Sequence, residues 1–251
     1  MSVAKEQREK LIWEFPNIGK KAPEQEEKAF AYCEGYKEFL NVAKTEREFV
    51  REAVLRLKEA GYEEFEEGKI YQPGDKVYQI NRKKALLMST FGKRPLEDGV
   101  RINVAHIDSP RLDLKPNPLY EKAEAAYFKT HYYGGIRKYQ WATIPLAMHG
   151  VVILKDGTSM DICIGEKEGD PVFCVTDLLP HLAAQQNERK LKDGIKGEEL
   201  NIIVGSLPYP CEEEDSIKEP VKLLALSILN ERFGMTEKDF LRAAIEFVPA
   251  V

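Results

Sequence analysis

The sequence predicts an α/β protein, because a clearly delimited amphipathic helix is followed by short apolar strands and then by a long β-rich region. Thr45 and Glu48 have the spacing of a capping box, in which the two residues satisfy backbone amides at the start of a helix. Apolar residues then recur every three or four positions over residues 49–57. Gly61 supplies the left-handed residue on which helices often end, so we predict one helix between Thr45 and Gly61.

The sequence predicts that short strands follow this helix. Two apolar runs separated by a turn, at 77–80 and 85–88, have the length and spacing of paired strands. Residues 102–105 form a third predicted strand, which ends at His106. The remaining predictions are strands at 151–154, 160–164, 200–204 and 245–251, helices at 177–192, 219–233 and 238–243, and a solvated acidic loop at 212–215.

Composition describes an ordinary globular chain of 251 residues, with 43% hydrophobic residues, 31% charged residues and a net charge of −5. The negative charge argues against a nucleic-acid partner. The four cysteines are scattered without a Cys-x-x-Cys pair, which favours free thiols in a reducing compartment. The start of the chain is polar and no apolar run reaches membrane-spanning length, so we predict a cytoplasmic protein without a membrane partner.

The most informative stretch surrounds His106. A short apolar strand would deliver this histidine and, two residues later, Asp108, before Ser109 and Pro110 end the strand. Metal ligands often stand at the carboxyl end of a strand, and a nearby carboxylate can orient a ligating imidazole. The alternative is a hydrogen-bonded structural histidine, with Asp108 only capping the next turn.

Two longer motifs carry a family resemblance. The string His106-Ile-Asp-Ser-Pro-Arg-Leu-Asp-Leu-Lys-Pro, followed by Thr130-His-Tyr-Tyr-Gly-Gly-Ile-Arg-Lys-Tyr-Gln-Trp141, resembles the M18 family of metallo-aminopeptidases. The similarity is greatest to the bacterial branch of that aspartyl-aminopeptidase-like group and runs from about Ala31 to Pro249. Members of the family are nearly twice as long, so the resemblance predicts an amino-terminal half that lacks several ligands and is inactive alone.

The resemblance also implies a domain organisation. It predicts a partial zinc-peptidase-like catalytic α/β domain interrupted by a β-rich dimerisation insert. Residues 1–110 would be the first part of the catalytic domain, residues 111–243 the insert, and residues 244–251 a strand returning to the catalytic domain.

Roles for particular residues follow from the same resemblance. His106 would be a metal ligand and Asp108 its orienting carboxylate. His149 would reach a neighbouring subunit's active site and donate a hydrogen bond to the substrate carbonyl, whereas its local sequence equally fits a satisfied buried histidine. A glycine pair and two aromatic residues would shape the substrate pocket, with core packing as the alternative for the aromatic residues: Gly134, Gly135, Tyr139 and Trp141.

The implied activity is removal of single amino-terminal residues from peptides by a dinuclear zinc centre, with cobalt or manganese as alternative metals. The residue preference, acidic or neutral, stays open. The implied partners are peptide substrates and further copies of the chain, which would associate through the inserted domain. A different class of function is a non-catalytic assembly module, and a gene fragment without function is a further alternative.

Overall fold

The computed structural model describes residues 3–13, 15, 19, 22–210 and 217–250. The chain divides into two compact units, Met1–Val42 and Ala43–Val251. The first unit contains helix α1 (Val3–Leu11) and helix α2 (Glu26–Val42). Among the described residues, no helix is both long and apolar enough to cross a membrane.

The second unit begins with helix α3 (Glu46–Glu59), and its start confirms the predicted capping box. Thr45 Oγ1 accepts a hydrogen bond from the Glu48 amide at 3.3 Å, and Glu48 Oε2 accepts one from the Thr45 amide at 3.0 Å. Gly61 follows the helix with a φ of +81°, a left-handed value that glycine adopts at little cost. Local sequence signals therefore place both ends of this helix.

A three-stranded sheet contains β1 (Glu63–Glu64), β2 (Lys76–Asn81) and β3 (Ala85–Thr90) in that order. Strands β2 and β3 form the predicted antiparallel hairpin. Asn81 pairs with Ala85, and the three residues between them form a turn that is closed by a 3.0 Å hydrogen bond from the Lys84 amide to the Asn81 carbonyl. Arg82 and Lys83 in this turn have left-handed φ values of +52° and +59°.

The larger sheet has seven strands in the order β7-β6-β10-β4-β5-β9-β8. All the neighbouring pairs in it are antiparallel. Its strands are β4 (Arg111–Lys122), β5 (Ala125–Tyr133), β6 (Leu146–Ile153), β7 (Ser159–Ile164), β8 (Cys174–Val175), β9 (Ile202–Gly205) and β10 (Ala243–Pro249). The β-rich character predicted for this region is confirmed.

The core lies on the seven-stranded sheet. Phe247 at the centre of β10 is fully buried and its ring contacts those of Phe128 and Phe173 at centroid distances of 5.9 and 5.2 Å. Helix α5 (Pro220–Phe233) adds Val221 and Leu229 to the same cluster. This helix ends at Gly234 as predicted, and a 3₁₀ helix (Glu237–Arg242) capped by Thr236 leads into β10.

The last strand lies in the interior of the larger sheet. Strand β10 is hydrogen-bonded between β4 and β6, two strands of the region predicted as an insert. Residues 243–249 therefore belong to the seven-stranded sheet. The assignment of residues 244–251 as a strand that returns to the catalytic domain stays a prediction. The boundary between residues 1–110 and 111–243 stays a prediction.

Two predicted elements are wrong. Residues 102–105 form no strand, because none of the described strands lies beside them, and the side chains of Ile102 and Val104 are exposed. The predicted helix at 177–192 is reduced to the short helix α4 (Ala184–Asn187). Pro180 lacks an amide proton, and the neighbouring leucines form no buried face. The acidic run 212–215 and Cys211 lie outside the described residues.

Candidate functional site

His106 and Asp108 lie close together on an exposed segment. The ring Nδ1 of His106 is 3.0 Å from the carbonyl oxygen of Asp108 and 3.3 Å from its carboxylate Oδ1, and 85% of the histidine side chain is exposed. When Nδ1 carries the proton and donates it to Asp108, the lone pair on Nε2 is available for a metal. The segment therefore offers one oriented ligating nitrogen.

Tyr133 connects the two sequence motifs in space. Its hydroxyl donates a hydrogen bond of 2.7 Å to the Asp108 carboxylate. That hydrogen bond holds the pKa of Asp108 below its usual value and raises the pKa of Tyr133. The Arg111 guanidinium lies over the Tyr133 ring at 4.1 Å from its centroid, which fixes the ring from the other side.

The glycine pair forms the turn that follows strand β5. Gly134 has a φ of +85°, and a β-carbon built on it would lie 3.6 Å from Pro110. The turn therefore brings the second motif against the end of the first. Gly135 lies in the same turn and is exposed.

The two aromatic residues predicted for a substrate pocket differ in position. Tyr139 is partly exposed and lines a shallow pocket of about 360 Å³ with Ile136 and Arg137. Trp141 is 8% exposed and belongs to the main hydrophobic cluster. Trp141 therefore packs in the core, which is the alternative that the sequence analysis gave for it.

His149, on strand β6, is buried between the carboxylates of Glu48 and Glu166. Its Nδ1 is 2.7 Å from Glu48 Oε1, and its Nε2 is 2.9 Å from Glu166 Oε1. Lys44 Nζ also lies 2.6 Å from Glu166 Oε1. Because carboxylates only accept hydrogen bonds, the doubly protonated imidazolium satisfies both contacts. These are the contacts of a buried histidine with partners at both ring nitrogens, which is the alternative that the local sequence also predicted.

The electrostatic surroundings favour that charged form. Burial acts to lower the pKa of His149, but its hydrogen bonds and attraction to Glu48 and Glu166 outweigh burial and hold that pKa above its ordinary value. Burial likewise acts to raise the pKa of Glu48, but its contacts with His149 and its hydrogen bonds with Thr45 outweigh burial and hold that pKa below its ordinary value. Glu48 thus serves the cap of helix α3 with one oxygen and His149 with the other.

A second buried charge cluster adjoins the first. Arg111 Nη1 donates to Glu46 Oε1 at 2.8 Å, and Arg111 Nε donates to Asp113 Oδ1 at 2.8 Å. Glu246 Oε2 lies 3.4 Å from Arg111 Nε without the geometry of a hydrogen bond, and Lys84 Nζ lies 3.7 Å from Glu246 Oε1. Burial, followed by repulsion from Glu46, raises the pKa of Glu246 to about 7 despite both cations.

Strand register explains why these clusters are neighbours. Glu246 on β10 pairs with His149 on β6 and with Asp113 on β4, and residues paired across strands point to one face of the sheet. The first turn of helix α3, with Glu46 and Glu48, supplies carboxylates to both clusters. The charged side chains of Asp113, Glu246 and His149 therefore form a row across strands β4, β10 and β6.

Sequence reasoning did not single out most of the residues in these two charge clusters. Glu48 was predicted only as a capping residue, and nothing marked Glu166 as a partner of His149. A usable signal was present at Glu246, a lone carboxylate within the apolar strand 245–248. Such a residue is costly to bury without a partner, so its position alone indicates a buried polar contact.

The described residues do not supply a complete metal site. No group of three or more histidine, cysteine, aspartate or glutamate residues in that part of the chain could hold an ion. A catalytic zinc needs three protein ligands and an open position. His106, oriented by Asp108, could supply one of these three ligands.

Solved structures define the class of this fold. The crystal structure of an M18-family aminopeptidase from Thermotoga maritima matches with a TM-score of 0.87 at 44% identity, covering 96% of this chain and 51% of that one. Aminopeptidase I from Clostridium acetobutylicum matches with a TM-score of 0.83 at 42% identity. A yeast aminopeptidase 1 dodecamer, at 18% identity and a TM-score of 0.61, shares the fold. The protein thus has the mixed helix-and-sheet fold of these aminopeptidases.

The sequence comparisons identify the family. A family model described as aminopeptidase I zinc metalloprotease (M18) matches residues 39–251. The probable M18 family aminopeptidase 1 of Clostridium acetobutylicum is 48% identical over 245 residues, which cover 96% of this chain and 52% of the relative. The corresponding Thermotoga maritima protein is 46% identical over 226 residues. The chain belongs to the M18 family, and it spans about half the length of these curated relatives.

Proposed function

We propose that this chain functions in an M18-type aminopeptidase, which removes single residues from the amino termini of peptides. The observation that supports the proposal is the family match over residues 39–251, together with 44% identity to a solved M18 aminopeptidase of the same fold. The geometry adds a second support, because the two motifs that carry the resemblance meet through Tyr133 and Asp108.

The proposed cofactor is zinc, with two ions in the complete site and cobalt or manganese as alternatives. His106 would ligate one ion through Nε2, while Asp108 holds Nδ1 and thereby fixes the ring. The other ligands would come from outside the described residues. When bound, such ions polarise a peptide carbonyl and lower the pKa of a coordinated water.

His149 is proposed to donate a hydrogen bond to the substrate carbonyl in a neighbouring subunit's site. Its charged imidazolium suits this role, because negative charge develops on that oxygen in the transition state. In this chain Nε2 is held by Glu166, so that contact must be exchanged for the substrate, while Glu48 retains Nδ1. Glu48 and Glu166 would then be positioning residues.

Substrate contacts are proposed for the turn after strand β5. Gly134 lets the turn pack against Pro110, a β-carbon on Gly135 would meet nothing within 4 Å, and Tyr139 adds a partly exposed ring. Trp141 would support this loop from the core. Association into a homo-oligomer through residues 111–243 would bring His149 to the neighbouring site.

The chain by itself is proposed to be inactive, because one oriented histidine does not hold a zinc ion. The same observation supports a second candidate function, a non-catalytic assembly module. Native mass spectrometry tests that candidate, with oligomers expected for the chain alone or with a full-length homologue. A strict monomer in both samples would exclude the assembly role.

A chimera tests the proposed activity. Residues 1–251 are joined to the part of the Clostridium acetobutylicum relative that this chain does not match, and release of amino-terminal residues from zinc-loaded samples is measured. We expect activity from the chimera and none from the chain alone. His106→Ala should lower kcat/KM by at least about 100-fold, because a metal ligand is lost.

The matched control for His106→Ala is His181→Ala, another exposed histidine, which should leave the chimera's kcat/KM unchanged within about twofold. His149→Gln should lower kcat more than it raises KM, since the proposed contact forms in the transition state. A folded, zinc-bound chimera without activity, or full activity of His106→Ala, would overturn the proposal.

A further inference from the structure

A groove of about 840 Å³ lies between helix α3, the turn of the β2–β3 hairpin and one end of strands β6, β7 and β10. Its size falls within the range of about 300–1,000 Å³ that is usual for small-ligand sites. It lies on the second unit of the chain, and His106 is not among its lining residues.

The walls of the groove are aliphatic. Helix α3 contributes Val50, Val54 and Leu55, and the sheet contributes Val151 and Ile153 from β6. Leu55 is 53% exposed and Ile153 is 37% exposed, so part of this apolar surface faces solvent. Burying it against apolar side chains of a ligand is favourable, because apolar surface is then removed from water.

Cations are distributed around these walls. Arg47 and Arg51 come from α3, Arg82 and Lys83 from the hairpin turn, and Arg242 precedes β10. A single carboxylate, Asp161, lines the groove with them. The lining residues therefore carry a net charge of +4 (five cations against one carboxylate), in a chain whose overall charge is −5.

Three of these cations lack a carboxylate partner within the part of the chain that the structure describes. Arg51 pairs with Asp161 at 3.2 Å, and Arg242 pairs with Asp239. Arg47, Arg82 and Lys83 have no such pair. The Nε of Arg47 is also buried without a hydrogen-bond acceptor, and an unsatisfied buried donor is costly.

The distribution of charge selects the chemical class of ligand. A fatty acid carries one carboxylate and would leave most of these cations unpaired. A nucleotide base would find no aromatic ring to stack on, since no aromatic residue lines the groove. A peptide with an aliphatic side chain between carboxylates matches both the walls and the separated cations.

We propose that this groove binds an acidic peptide segment that carries an aliphatic side chain flanked by glutamate or aspartate residues. The apolar side chain packs between α3 and β6, and the carboxylates pair with Arg47, Arg82 and Lys83. The binding does not depend on the proposed aminopeptidase activity.

Fluorescence anisotropy of the full chain tests the proposal. The probe is a Glu-Glu-Leu-Glu-Glu amide with tetramethylrhodamine on its amino terminus, which an aminopeptidase cannot cleave because the amine is blocked. Arg82→Glu combined with Lys83→Glu is expected to weaken binding at least about tenfold, since two charge-assisted contacts become repulsive. These residues lie at an exposed turn, and circular dichroism checks that the variant is folded.

The matched control combines Lys93→Glu with Arg94→Glu, which changes the net charge equally at adjacent exposed positions that do not line the groove. It should retain the affinity of the unaltered chain within about twofold, because remote surface charges are screened by salt. The same peptide with glutamine in place of glutamate should bind at least about tenfold more weakly. Equal loss in both double variants, equal binding of the glutamine peptide, or binding of laurate but not of the peptide would overturn the proposal.

Discussion

At the scale of single residues, the dominant feature is charge that is buried in pairs rather than excluded. His149 lies between two carboxylates, and Arg111 contacts Glu46 and Asp113. Buried ion pairs contribute little net stability, but removing one partner leaves an uncompensated charge and is strongly destabilising. The ion pairs of Glu46 with Arg111 and of Glu48 with His149 therefore make the positions of helix α3 and the sheet depend on each other.

Glu246 should make the stability of the chain depend on pH. Its pKa is raised to about 7 in the folded protein, so the native state binds the proton more tightly than the unfolded chain does. The contribution of Glu246 to stability is then fully present below the unfolded pKa of about 4.3 and is lost as pH rises through the folded pKa. Glu246→Gln removes this loss, so its advantage over the unaltered chain should grow with pH by about 1–3 kcal/mol.

Urea unfolding at pH values from about 5 to about 8 measures this difference in free energy. Glu67→Gln, at an exposed carboxylate, is the control and should show no growing advantage. A constant difference between Glu246→Gln and the unaltered chain across this range would contradict the raised pKa.

At the scale of elements, strand β6 is pressed against the backbone of its neighbour. Gly150 has a φ of +149°, and a β-carbon built there would lie 2.1 Å from the carbonyl oxygen of Ala244 on β10. Alanine at this position forces the two strands apart. Gly150→Ala should therefore lower the free energy of unfolding by at least about 3 kcal/mol, measured by urea unfolding.

Gly205→Ala is the matched control, because it lies in strand β9 and a β-carbon there meets nothing within 4 Å. It should change the free energy of unfolding by less than about 1 kcal/mol. A similar effect of both substitutions would show that the close approach at Gly150 is not the cause.

The segment that precedes the seven-stranded sheet provides a second prediction for elements. Residues 100–106 have no strand partner among the described residues, and their amides lack the protection of a hydrogen-bonded ladder. Hydrogen exchange measured by mass spectrometry should be at least about 100-fold faster there than in strand β6. Comparable protection of the two segments would indicate a strand at 102–105 after all.

At the scale of the whole molecule, the second unit should be stable without metal. Its core is built on the seven-stranded sheet, with Phe247 at the centre, and the described residues contain no group of three candidate metal ligands. Removal of metal by EDTA should therefore shift Tm by less than about 2 °C, because a ligand stabilises only the state that binds it.

Differential scanning calorimetry before and after dialysis against EDTA measures this shift, and re-addition of zinc serves as the control. A fall in Tm of about 5 °C or more that zinc reverses would show that the chain holds a structural ion by itself.

Signals within a short stretch of sequence were sufficient for much of this protein. Capping at Thr45, the glycine ends of α3 and α5, and the hairpin patterns depend on neighbours a few residues away, so they act alike in any fold. The motifs around His106 and Gly134 likewise predicted the M18 family. Tertiary structure alone decided the rest: whether residues 102–105 find a strand partner, where β10 inserts, and which charges Glu46 and His149 meet. Strand pairing and burial join residues as far apart as Glu48 and His149, and no local pattern specifies such a partner.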